Sequence, residues 1–283
     1  MLSLKSGSLS VSVLDPVADK DKLGTRYCTA GFIFQVDDAA RGPLLAGATY
    51  PDSYNLFDGQ GAPDAFQPHL VLDQAADGTP TRVLGIGIGI IDAAANTVIE
   101  RTAWSITKGS TSAGEGGALE FRTVQAAGQW SFTLDRTLTL RGRTLRSETA
   151  LTNTGTRHVP FQWYPHPFFP LYPTGECCRM SVPVQLPENP GYELLENGFL
   201  RMKHLPWNRA ENENHFLLVG HPGDRPVSFI QKHPATSIVT AACDYVPSRL
   251  PVWGNSRTFS FEPYYERNLS QQDTARWSMT YDF

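Results

Sequence analysis

The chain has 283 residues, 41% of them hydrophobic and 11% aromatic, enough apolar material for a large core and too much for a disordered chain. Its 24 Lys and Arg stand against 28 Asp and Glu, a net charge of −4 without long runs of one sign, so no nucleic-acid or membrane-surface partner is expected. The opening MLSLKSGSLSVSVLDP has no apolar signal-like region and no stretch approaches the length of a membrane helix, so a cytoplasmic protein with a small-molecule ligand is expected.

Along the chain the dominant pattern is alternation of period two, the mark of half-buried strands. Ser8–Val13 opens it, and 26–36 follows as a second strand. Segment 42–69 breaks the pattern, concentrates Gly, Pro, Asp and aromatics, and is too long for a mere connection, so it reads as a functional loop. Leu84–Ile90 alternates Gly with Ile but lacks the Lys-Ser/Thr and following helix of a phosphate loop, which makes it a strand in 81–91 with a bare face for close packing. Strands are expected next at 97–107 and 118–126. In Trp130–Leu140 the residues Trp130, Phe132, Leu134, Leu138 and Leu140 share one face. Arg141-Gly142-Arg143 then reads as a tight hairpin into 143–152. Further strands are expected at 158–164, at 191–203 around an Asn197-Gly198 type I′ turn, and at 227–232, 236–242, 257–263 and 277–283. Roughly fifteen strands, no long helix, no repeat and no linker predict an all-β fold, one large antiparallel β-sandwich over a single domain of residues 1–283.

The cysteines, Cys28, Cys177, Cys178 and Cys243, lack the spacing of a zinc site, so reduced thiols and no metal cluster are expected. Chemistry points elsewhere. In Phe161–Pro170 one ionisable side chain, His166, sits among aromatics and three prolines at a strand end, where a histidine can titrate near neutrality and move protons. In Thr258–Glu266, alternation sets Glu262 on the opposite face from Phe261 just before Pro263, with Glu266 as the competing carboxylate. The structural alternatives are a core histidine bonded to a carbonyl and a salt-bridged glutamate.

These two segments resemble the galactose mutarotase-like superfamily, which includes the aldose 1-epimerases. Leu23–Arg26, the alternating strands at 129–153 with Leu151-Thr152-Asn153, the His166-Pro-Phe-Phe run, Glu262-Pro263 and the closing Trp277–Phe283 strand carry the likeness. The resemblance implies a supersandwich with a sugar pocket on one sheet, His166 as general acid, Glu262 as general base and no cofactor or metal. It departs from ordinary aldose 1-epimerases at their sugar-binding Asn-Arg and Leu-His-Gly motifs, in whose place stands Tyr54–Phe66.

Substrate-binding candidates are Asp58, Gln60 and Asp64 in that loop, Arg26, Asp244 as a hydroxyl partner or an orienter of His166, and Trp253 as the favoured sugar-stacking ring ahead of Trp163, Trp207 and Tyr264. The expected activity is interconversion of the anomers of a hexose or related sugar. The alternatives are a non-catalytic carbohydrate-binding or sugar-sensing protein, and a mutarotase for a phosphorylated or acidic sugar clamped by Arg201, Lys203, Lys232 or Arg249.

Overall fold

A computed structural model describes residues 1–110, 116–203 and 214–283. Among them the only helix is the 3-10 turn Lys20–Lys22, and every strand pairing is antiparallel. No helix of the described residues is long and apolar enough to cross a membrane.

The largest sheet has eight strands, in the order Ser105–Ser110, Gly117–Ala127, Trp130–Arg141, Thr144–Asn153, Thr274–Asp282, Ser237–Cys243, Ser228–His233 and Cys178–Met180. The alternating runs form its centre, and Phe132, Leu134, Leu138 and Leu140 are wholly buried as the period requires. Arg141 pairs with Thr144 across the expected two-residue turn, where Gly142 takes a φ of +56°. Smaller sheets cover this face: Leu2–Ser6, Leu9–Val13, Ile33–Asp38 and Gly42–Pro43 form one, and Asp64–Gln67, Val159–Pro165 and Tyr265–Leu269 another.

Aromatic rings fill the space between the layers. Trp277 of the large sheet stacks on Phe161 at 5.3 Å, and Phe229 lies on Phe261 at 4.0 Å and 5°; such pairs add about 0.5–1.5 kcal/mol beyond their burial. The result is the expected all-β antiparallel sandwich, its main core cluster running from Leu2 to Phe283.

Three strand expectations are corrected. Residues 26–32 are irregular and only Ile33–Asp38 pairs. The Gly-Ile run is a hairpin rather than one strand: Pro80–Gly85 returns as Gly89–Asp92 through a turn at 86–88. Gly87 has φ +72° there, and a Cβ would lie 2.4 Å from Cys28 Sγ, so the bare position serves close packing as expected. Segment 97–107 divides into Thr97–Arg101 and part of Ser105–Ser110. At the Asn197-Gly198 turn, which joins Tyr192–Leu194 to Leu200–Met202, only Gly198 has a positive φ, which rules out type I′.

Candidate active site

Val159–Pro165 pairs with Tyr265–Leu269 up to Trp163 opposite Tyr265. Further on, Phe169 and Pro170 pair with Phe259 and Thr258 in the same register. The two ladders are therefore one long antiparallel pair with a break in its middle. Continuing the register through the break sets Tyr164 opposite Tyr264, His166 opposite Glu262 and Phe168 opposite Ser260. Pro165, Pro167 and Pro263 lie in the break and have no N–H to donate. The remaining donors turn outward instead, His166 N to Pro63 O at 2.8 Å, Phe168 N to Gly61 O at 2.7 Å, Glu262 N to Pro251 O at 2.9 Å and Tyr264 N to Arg249 O at 2.9 Å.

Because side chains alternate, Gln162, Tyr164, His166 and Phe168 project from the same face as Ser260, Glu262, Tyr264 and Glu266. His166 Nε2 consequently meets Glu262 Oε1 at 3.2 Å. Phe168 stacks on the imidazole at 4.4 Å, Trp253 meets it edge-on at 5.5 Å and Tyr27 at 6.2 Å. His166 is 1% exposed and Glu262 3%, so the two share a site, but the open pocket expected from the resemblance is closed.

Burial disfavours both charged forms. It raises Glu262 to about 8, against the lowering pull of Arg26, and it depresses His166 well below its ordinary range, with Arg26 adding to the depression. Burial therefore favours the uncharged form of each, a neutral imidazole beside a carboxyl that holds its proton more tightly than an exposed glutamate. His166 Nδ1 is buried without a partner.

Of the substrate-binding candidates, Arg26, Asp58 and Trp253 come together here. Arg26 has 20% of its side chain exposed and lies 3.9 Å from Asp58, its guanidinium 4.9 Å from the Tyr27 ring and 5.1 Å from the Phe57 ring. Tyr27 ties the loop down by donating its hydroxyl to Asp58 O at 2.9 Å.

The other candidates lie elsewhere. Gln60 is buried at the neck of the loop, bridged to Gly47. Asp64 faces the interior and is held by both terminal nitrogens of Arg136 on the large sheet, so it joins the layers rather than meeting a ligand. Asp244 is exposed, accepting from Ser278 N at 2.7 Å and Ser278 Oγ at 2.6 Å, and does not orient His166. Trp163 is a core residue against Trp277, and Trp207 lies outside the described residues. The four candidate anion clamps do not converge: Arg201 pairs with Glu193, Lys203 donates to Asn189 O, Lys232 lies over Phe199 and Arg249 pairs with Glu266.

Tyr27, Tyr164 and Phe168 were not singled out from the sequence. Tyr164 and Phe168 flank His166 at two-residue spacing, the signal that places them on its face.

Solved structures that match over nearly the whole chain include three mutarotase-like proteins. The galactose mutarotase related enzyme of Lactobacillus acidophilus is 11% identical with a TM-score of 0.61, covering 99% of this chain and 96% of its own. The galactose mutarotase-like protein of Lactobacillus casei ATCC 334 is 12% identical at 0.57, covering 100% and 99%. That of Clostridium acetobutylicum is 11% identical at 0.57, covering 98% and 92%.

The fold is that of the galactose mutarotase-like proteins.

No protein-family model matches the sequence, and no curated protein matches it. The likeness is one of fold, and what happens at the break in the ladder depends on this chain's own residues. Among the described residues no three His, Cys, Asp or Glu side chains cluster as a metal site. What the break offers is a buried contact of an imidazole with a carboxyl group, among aromatic rings and within the electrostatic reach of an arginine.

Proposed function

We propose that this chain is an aldose 1-epimerase-like isomerase that interconverts the anomers of a free hexose or close relative, with His166 as general acid and Glu262 as general base. The observation that carries the reading is the 3.2 Å contact between His166 Nε2 and Glu262 Oε1 in a water-poor site beside Arg26. The names of the mutarotase-like neighbours agree with it. In a pyranose the anomeric hydroxyl and the ring oxygen share one carbon, so an acid and a base that nearly touch can serve both.

The proton count closes without a cofactor. Transfer of the shared proton from Glu262 to His166 gives a carboxylate and an imidazolium. The carboxylate takes the anomeric hydroxyl proton while the imidazolium protonates the ring oxygen, and the bond between C1 and that oxygen breaks. The open-chain aldehyde then faces a protonated Glu262 and a neutral His166, the same arrangement as the resting pair. Rotation about the C1–C2 bond and reversal of both transfers give the other anomer.

Entry requires the cover to move. The loop 48–59 is pinched at its neck by Gly47 and Gln60, and Gly61 beside it has φ +80°, where a Cβ would lie 2.2 Å from Ile33 O. Beyond the neck the loop is held by side chains: Asn255 Nδ2 donates to Ala48 O at 2.8 Å, Arg257 pairs with Asp52 at 2.7 Å and Tyr54 donates to Lys22 O at 2.6 Å. We read it as the element that closes the ligand site. The same reading takes residues 1–283 as one domain with a small carbohydrate as partner, supported by a core cluster that spans the chain.

A second reading, a non-catalytic sugar-binding or sugar-sensing protein, is favoured by the near-complete burial of both groups. Free hexoses, pentoses, uronic acids and hexose phosphates screened by thermal shift, then by anomer-exchange NMR, separate the two. Exchange above the buffer rate supports the isomerase; a thermal shift without exchange supports the binding protein and overturns turnover.

A further inference from the structure

The sheet face that carries His166 and Glu262 continues beyond them. Thr258–Phe261 pairs with Pro251–Asn255, which pairs in turn with the edge strand Asn214–Leu218. Pro251 is the partner of Leu218, and Glu262 N donates to Pro251 O at 2.9 Å, so one row across the face reads His166, Glu262, Pro251, Leu218. Trp253, two residues from Pro251, meets the His166 ring at 5.5 Å, which places this row on the side of the reacting pair. The next row reaches the same edge through rings. His166 lies 6.4 Å from the Tyr164 ring, Tyr164 stacks on Tyr264 at 4.5 Å, and the Arg249 guanidinium lies 4.5 Å from the Tyr264 ring. Both rows end at one cavity of about 550 Å³, lined by Leu218 and Arg249 together with Gln185, Leu186, His221 and Ser248.

We propose that this cavity is a second sugar subsite, and that the substrate is the reducing end of an oligosaccharide, with the terminal ring at His166 and Glu262 and the unit linked to it in the cavity. The cavity has the size of a small-molecule site and the mixed lining that a pyranose needs. Leu186 and Leu218 offer apolar contact to the C–H face of a sugar ring. Hydroxyl partners stand beside them: His221 donates from Nε2 to Pro247 O at 3.0 Å, which leaves Nδ1 as an acceptor, and Gln185 and Ser248 are exposed. Arg249 gives Nε to Glu266 and Nη2 to Gln162, so its charge is already paired and its Nη1 hydrogens suit an uncharged hydroxyl rather than an anion. The span agrees. Two strand spacings separate Glu262 from Leu218, about 10 Å, a distance for two linked rings rather than one. In a pyranose, O4 lies across the ring from C1, so a unit linked there leads away from the reacting pair. The proposal rests on the reading of His166 and Glu262 as that pair.

Titration calorimetry compares single and linked sugars: glucose with maltose, cellobiose and lactose, galactose with galactobiose, and xylose with xylobiose. In at least one series the disaccharide is expected to bind about tenfold more tightly than its monosaccharide, the worth of one or two net hydrogen bonds. Leu218→Arg and Ser248→Trp, which fill the cavity from exposed positions, are each expected to bring that ratio close to one. Equal affinities in every series, a ratio that survives both substitutions, or no sugar bound at all overturns the subsite. A concentration-dependent dimer in sedimentation, lost in Leu218→Arg, assigns this edge to a second copy of the chain and overturns it as well. Anomer exchange on the same sugars separates the two claims. Exchange of monosaccharides with no gain from the second ring removes the subsite and leaves the isomerase, whereas a gain without exchange keeps the subsite and removes turnover.

Discussion

Arg136→Met removes the cation from a fully buried pair that joins the two layers. Arg136 is 1% exposed and the Asp64 side chain 6%, and the guanidinium binds both carboxylate oxygens with a further contact to Ser147 Oγ at 3.3 Å. Deleting one partner leaves the Asp64 carboxylate in an apolar interior, which typically costs about 3–5 kcal/mol. At about 2–4 °C per kcal/mol for a chain somewhat shorter than this one, the melting temperature should fall by about 6–20 °C. Removing both charges in Arg136→Met with Asp64→Leu takes away the stranded carboxylate as well, and should recover most of the loss, since paired buried charges are often replaceable by apolar residues at little cost. Guanidinium denaturation and differential scanning fluorimetry on the four proteins complete the cycle. A single-variant loss below about 1 kcal/mol, or a double variant no more stable than Arg136→Met, would refute Asp64 as a structural partner and return it to the list of ligand contacts.

Other perturbations test separate parts of the account. Glu262 is raised to about 8 by burial, so the folded state binds a proton that the unfolded chain has released, and stability falls as pH rises towards 8; between pH 6.5 and 8 this amounts to about 2 kcal/mol. Glu262→Gln should abolish that slope in pH-dependent denaturation, whereas an identical slope in the variant would show that Glu262 ionises freely. The depressed His166 acts in the opposite sense, weakening the fold as pH falls below its ordinary range near 6.5. If turnover is found, the singly protonated pair makes the pH profile a bell whose alkaline limb belongs to Glu262 near 8 and whose acid limb belongs to His166; an alkaline limb near 6 would contradict this order. Gly87→Ala meets both a positive φ and Cys28 Sγ at 2.4 Å, and should cost about 2 kcal/mol or more in thermal denaturation. Asp58→Ala should weaken sugar binding in calorimetry by about tenfold, the worth of one hydrogen bond to a charged group, with little loss of stability; unchanged affinity would remove the loop from the site.

The parts of this fold legible in the sequence are those where a single local period decides. The central strands of the large sheet, Gly117–Ala127, Trp130–Arg141 and Thr144–Asn153, lie within about two residues of their expected bounds, because one face of each packs on the core and the other does not. The Gly-Ile run failed for the complementary reason: alternation describes a strand and its return equally well, and the turn at 86–88 depends on close approach to Cys28, a distant segment.

At the site, His166 was visible as the one ionisable group in an aromatic, proline-rich stretch, and Glu262 as a carboxylate at a strand end before Pro263, in competition with Glu266. Their juxtaposition was expected only from the family resemblance, because it follows from a register shared by two strands about a hundred residues apart, which no local pattern reveals. Asp64 looked like a ligand residue only while its partner was unknown. Arg136 carried the missing signal, a charge on the inward face between Leu134 and Leu138, where it must find a buried counter-charge.

Anomer exchange measured above the uncatalysed background tests the central claim most directly, in wild type, His166→Asn and Glu262→Gln. The variants keep approximate shape and hydrogen bonding but cannot pass the proton. Wild type should exceed buffer for at least one of the screened sugars, and each variant should lose about 10²–10⁴-fold with a smaller change in sugar affinity. Wild-type exchange no faster than buffer across the screened sugars, or variants as active as wild type, would contradict catalysis by this pair.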